Sequence, residues 1–143
     1  MRCLVCGGRD FGKNPKVSDE KKNEYEFVYK TLGEILHPIV TDDIDTWLPP
    51  KDLTIISGGA SGVDSIAIDW AVVNWVNFEV YKADWRTYGK SAGMIRNKQM
   101  LDSGIDLVIA FPGGKGTANM VAIARQSGVS VKEIFYTGGS CGI

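Results

Sequence analysis

The sequence has no apolar run of the roughly 18 to 20 residues that a membrane-spanning helix requires, so no membrane association is expected. Met1 to Gly8 holds too short an apolar stretch for a secretory signal and reads instead as a first strand. A surplus of either charge is also missing: 16 Lys and Arg stand against 17 Asp and Glu, a formal net charge of −1. Binding to a phosphate backbone draws on excess cations or a strong local patch, which makes nucleic acid an unexpected partner. The 3 cysteines show no disulfide-framework spacing, which suits a reducing compartment and a cytoplasmic location. Cys3 and Cys6 fall in a strand, where residues three apart point to opposite faces, so their sulfurs are not expected to converge. Cys141, in a Gly-rich tail, has no expected role. The single histidine, His37, precedes Pro38 at an expected helix end and suits a capping or surface imidazole. No group of His, Cys and Asp has metal-ligand spacing, so no metal is expected.

What the chain does have is glycine. Its 17 Gly in 143 residues are about 12%, against a usual share of roughly 7%, and they fall in short clusters that mark loops with a task. Apolar, β-branched runs recur at Arg2 to Cys6, Leu53 to Ser57, Phe78 to Lys82, Asp106 to Phe111 and Val131 to Tyr136. Helical periodicity fills Asp19 to Leu36, with Ser18 as N-cap, then Gly62 to Val76, Ala92 to Ser103 and Thr117 to Ser127. Gly104 and Gly128 follow the last two as C-terminal caps. Pro38 to Asp52, with Pro49 and Pro50, reads as a connector with at most a helical turn at Asp42 to Leu48. Strands alternating with helices predict an α/β, Rossmann-like, doubly wound parallel sheet of about five strands, helices on both faces, in a single domain over residues 1–143.

The second helical segment carries a core stripe at Val63, Ile66, Ala67, Trp70 and Ala71. A further apolar stripe at Ile68, Val72, Trp75 and Val76 suggests a homodimer or larger assembly, with packing under the connector as the alternative.

In an open α/β sheet, ligands bind beyond the carboxyl ends of the strands. The glycine clusters fall there: Cys6-Gly7-Gly8-Arg9, Ser57-Gly58-Gly59-Ala60-Ser61-Gly62-Val63-Asp64, and Phe111-Pro112-Gly113-Gly114-Lys115-Gly116-Thr117. Glycine exposes backbone amides, and a helix N-terminus adds free N–H groups and partial positive charge, so such loops suit a phosphate. One Gly-Gly after a strand is ordinarily just a tight turn; three at one sheet end point to a site. No loop is a Walker A motif or a clean Gly-x-Gly-x-x-Gly, so neither a P-loop NTPase nor a standard dinucleotide dehydrogenase is supported.

Ile55 to Asp64, Ala83-Asp84-Trp85, Ala92 to Met100 and Val108 to Thr117, in this order, resemble the SLOG superfamily. Within it they are most similar to the YspA-type, cpYpsA-related branch of small, often bacterial or phage-encoded proteins. The resemblance implies a Rossmann-like fold that binds nucleotides or their derivatives in a cleft lined by these motifs. Relatives include the lysine-decarboxylase-like phosphoribohydrolases, which cut the bond between a base and ribose 5′-monophosphate, and DNA-processing proteins of the DprA type. In the phosphoribohydrolases the working pair is an Arg of a Gly-Met-x-x-Arg segment and a Glu three residues after the Thr of Pro-Gly-Gly-x-Gly-Thr. Here the Arg is Arg96, but the Glu position is Met120, preceded by Asn119. A thioether neither stabilises an oxocarbenium charge nor handles a proton, so this departure counts against hydrolysis by that route.

By residue chemistry, Pro112, Gly113, Gly114, Gly116 and Thr117 would cradle a phosphate, with Lys115 adding charge or pointing to solvent. Arg96 and Arg9, beside Gly7 and Gly8, could pair with phosphates, and Arg9 could equally hold a surface ion pair. Ser57, Gly58, Gly59 and Asn97 belong to the same motifs. Asp64 and Asp84 suit ribose hydroxyls, or with Arg96 a catalytic set; Trp85 and Tyr88 suit stacking on a base or walling the core. The leading expectation is a sensor or processing module that binds an AMP-like or ADP-ribose-like nucleotide. The alternatives are a hydrolase of an N-glycosidic or phosphoribosyl bond, and DprA-like single-stranded DNA binding.

Overall fold

The computed structural model describes residues 1–40 and 53–137, so the expected turn at Asp42 to Leu48 and Cys141 lie outside the described residues. In chain order the elements are β1 Arg2–Cys6, α1 Asp19–Val40, β2 Thr54–Ser57, α2 Val63–Val73, β3 Asn77–Val80, α3 Trp85–Tyr88, α4 Ala92–Asp102, β4 Leu107–Ala110, α5 Lys115–Gln126 and β5 Ser130–Glu133. The strands form one sheet in the order β3-β2-β1-β4-β5, and each neighbouring pair is parallel. This is the expected Rossmann-like α/β arrangement.

Alternation along β1 builds the two layers. Cys3 and Val5 join Val28, Leu32 and Leu36 of α1 and Ile66 and Trp70 of α2 in one buried cluster. Leu4 and Cys6 join Met100 of α4 and Met120 and Ala124 of α5 in the other. The Cys3 and Cys6 sulfurs therefore sit on opposite faces, and burial pushes both thiols up to about 12, which keeps them protonated and inert.

α1 starts as its sequence predicts: Ser18 Oγ accepts a bond from the Lys21 N–H at 3.2 Å. It ends later than expected, carrying Pro38 inside its last turn. A proline so near the end removes one backbone bond, and Leu36 in the core with the His37 ring edge-on to Trp70 at 5.7 Å hold that turn. α2 buries the expected stripe but stops at Val73, and Trp75 takes a left-handed conformation with φ 58°. The second stripe therefore divides. Val72 and Trp75 are 59% and 80% exposed and Ile68 is half-buried, whereas Val76, turned inward with its N–H on the Ala71 carbonyl at 2.9 Å, is part of the core.

Candidate functional site

Consecutive connections leave β1 towards β2 and β3 on one side, and towards β4 and β5 on the other. Strand order reverses between β1 and β4, and a crevice opens beyond the carboxyl ends of strands at such a point. The loops there are laced together. The Gly8 N–H donates to the Pro112 carbonyl at 2.8 Å, the Val63 N–H to the Gly8 carbonyl at 3.3 Å, and the Ser61 hydroxyl to the Arg9 carbonyl at 3.0 Å.

Between them lies a cleft of about 640 Å³. Of the expected site residues, Gly7, Gly8, Arg9, Gly58, Asp64, Trp85, Arg96, Asn97, Gly114, Lys115, Gly116 and Thr117 line it. Others support it from behind. Ser57 is fully buried, its hydroxyl donating to the Asp64 carbonyl at 3.1 Å and accepting from the Gly59 N–H at 3.2 Å. Pro112 supplies the carbonyl for Gly8, and a methyl on Gly113 would overlap the Thr117 hydroxyl and come within 2.8 Å of the Gly8 nitrogen.

Asp84 is not among the described residues that line the cleft, although Trp85 beside it is. The chain turns into α3 directly after it, and its carboxylate caps that helix by accepting from the Thr87 N–H at 3.1 Å. Tyr88 is 46% exposed and also stands outside the lining.

Arg96 and Asp64 meet at Gly58. The Arg96 Nη1 donates to the Gly58 carbonyl at 2.8 Å, and the Asp64 Oδ2 accepts from the Ala60 N–H at 3.2 Å. A methyl on residue 58 would overlap the guanidinium and lie 2.9 Å from the carboxylate, so only glycine admits both groups. Burial pushes the Asp64 carboxyl up to about 6, although the Ala60 N–H, Arg96 and Arg9 pull the other way. Burial likewise lowers the Arg96 guanidinium, Asp64 opposing and the nearby Arg9 charge adding to the effect. Arg96 Nε is buried and has no hydrogen-bond partner.

Asn97, only 4% exposed, bonds through Nδ2 to the Gly116 carbonyl and Asn119 Oδ1, both at 3.0 Å, and so fastens α4 to the first turn of α5. That turn begins at Gly114 without a side-chain cap, leaving its amides directed to the cleft end. Met120 is 1% exposed in the core beneath α5, while Asn119 lines the cleft. Sequence reasoning missed Lys90, Gly93 and Met94 as lining residues. Gly93 and Met94 fall within the Ala92 to Met100 motif and its helix, which was their signal, whereas Lys90 lies between Tyr88 and Ala92 in a stretch that carried no motif. Among the described residues, four cationic side chains, Arg9, Lys90, Arg96 and Lys115, thus border the cleft against the one carboxylate of Asp64.

A family described as the YspA, cpYpsA-related SLOG family matches residues 1–88. The chain belongs to this SLOG family. The matched part holds the first two glycine loops, Asp64 and Trp85, while Arg96 and the Pro-Gly-Gly loop lie beyond it. The "Gene 61 protein" of Mycobacterium phage D29 is 38% identical over 92 residues, covering 57% of this chain and 71% of that protein. Among solved structures, the X-ray structure of TM1055, a structural-genomics target, superposes with a TM-score of 0.64 at 15% identity, over 92% of this SLOG chain and 72% of that one. That likeness bears on the fold alone.

Proposed function

We propose that this SLOG protein binds a nucleotide or nucleotide-derived ligand, with a phosphate at the first turn of α5 beside Lys115 and Thr117. Membership of the SLOG family suggests nucleotide-related binding. The observation that carries the reading is the charge of the cleft: four cations face one carboxylate in a chain whose net charge is −1. Such local concentration of one sign, with an uncapped helix start, favours an anion held in a concave site.

The test is a thermal-shift panel of AMP, ADP-ribose, NAD, cyclic nucleotides and IMP, with mass spectrometry of each mixture. A ligand present at about 100 times its dissociation constant should stabilise the fold by roughly 2.7 kcal/mol, a rise of several degrees. Recovery of the ligand intact supports a binding module; no response to any of them overturns the reading.

One observation favours a second reading, hydrolysis of an N-glycosidic bond. Asp64 is 6% exposed, lines the cleft close to Arg96, and holds its proton up to about pH 6. A carboxyl so placed is suited to protonating a departing base while Arg96 holds the sugar phosphate. Release of free base in the same mixtures is its signature.

A further inference from the structure

Trp85 opens α3, is 48% exposed and forms part of the cleft wall. The Arg9 guanidinium carbon lies over its ring, 5.1 Å from the centroid. Its Cη2 lies 3.5 Å from where a Cβ on Gly93 would stand, so the indole is laid against the start of α4 at ordinary contact distance. Met94, 59% exposed, continues the same wall. Arg9 follows β1 and Trp85 follows β3, so the stacked pair reaches over the end of β2, above Gly58. A flat apolar surface half-open inside a concave, cationic site is a surface waiting for a planar group.

Its distance from the phosphate end matters. The α5 start follows β4, three strand spacings from β3 in the sheet order, roughly 14 Å at about 4.8 Å per spacing. A phosphate or a sugar phosphate at α5 leaves this wall bare. A ligand with a planar base joined to its phosphate through a sugar covers both ends.

We propose that the Trp85–Arg9 stack is a base platform, which makes the cleft discriminate purine nucleotides from phosphosugars; this rests on the phosphate site proposed above. The base lies on the guanidinium and indole, and the stack supplies selectivity without reading hydrogen-bonding edges. Purines, with the larger ring surface, bind better than pyrimidines.

The experiment measures affinities of AMP, GMP, CMP, UMP and ribose 5-phosphate by calorimetry for the wild type, Trp85→Ala and Trp85→Phe. In the wild type a purine monophosphate should bind about 10-fold or more tighter than ribose 5-phosphate. Trp85→Ala should erase that ratio by weakening the purine monophosphates far more than ribose 5-phosphate, with an unchanged melting temperature reporting an intact fold; Trp85→Phe should restore most of it. Equal wild-type affinity for AMP, GMP and ribose 5-phosphate overturns the platform and leaves the phosphate site standing. Equal loss of all ligands in Trp85→Ala overturns the platform too. If neither ribose 5-phosphate nor any nucleotide binds the wild type, the phosphate site falls and the platform with it.

Discussion

The Arg96 guanidinium donates to the carbonyl of Gly58 at 2.8 Å and at the same time occupies the space a side chain on residue 58 would need. Replacing Gly58 with Ala therefore sets a methyl against the tip of a flexible side chain. We expect the fold to survive, with a loss of about 1 to 2 kcal/mol, and Arg96 to be displaced. Phosphate-ligand affinity should fall at least tenfold, as measured by calorimetry alongside a denaturant melt. Unchanged affinity would remove Arg96 from the ligand site.

Gly114 differs in kind. Nothing lies within 4 Å of a Cβ built on it, and it occupies the N-cap of α5. Asp is preferred there by a few tenths of a kcal/mol over Gly, so Gly114→Asp should leave the melting temperature equal or slightly raised. Its carboxylate would stand where the phosphate is proposed, and nucleotide binding should be lost. A variant that melts normally and still binds at parental affinity moves the phosphate elsewhere.

The fold was legible in the sequence because each strand of this sheet is a short run with few alternative readings, and because the helices carry regular core stripes. The loop-lined cleft was legible too, since three glycine clusters fall at the same end of one sheet, where a single one would be an ordinary turn. The capping bond of Asp84 was not, because a carboxylate beginning a helix and a carboxylate facing a sugar look alike until the chain direction after residue 84 is known. Val76 misled for a similar reason: helical spacing assigned it outward, but the helix ends at Val73 and the following turn carries it into the core. Lys90 escaped because its position depends on α3 and its following turn, elements of 4 and 3 residues too short to leave a periodic trace.

Asp64 sets a pH dependence. Its folded value of about 6 lies above the ordinary 3.8, so between those values the folded state binds the proton that the unfolded state has released. Stability from this group is therefore present at low pH and is lost as pH rises from about 4 to 6, by up to roughly 3 kcal/mol. Asp64→Asn should flatten that part of a pH-stability profile and be more stable than the parent at pH 7. Anion affinity should strengthen below pH 6 in the parent relative to Asp64→Asn, since protonation removes the cleft's one carboxylate. Parallel profiles for the two proteins would contradict the assignment.

The outward residues Val72, Val73 and Trp75, 59%, 63% and 80% exposed, are proposed to hold copies of the chain together. Trp75 is also held at φ 58°, a conformation that costs a bulky residue about 1 kcal/mol. Trp75→Gly should thus be stable or more stable, and should have the scattering mass of a 15.6 kDa monomer where the wild type has at least twice that. A monomeric wild type at micromolar concentration removes the proposal.

β1 is first in the chain but central in the sheet, with Cys3 beside Leu107 on β4. A chain emerging from the ribosome cannot complete the crevice until more than a hundred residues after its first strand have been made. The loop-closure entropy of that pairing must be met before the Gly8–Pro112 bond can form. Any fragment ending before β4 consequently has one wall of the crevice missing.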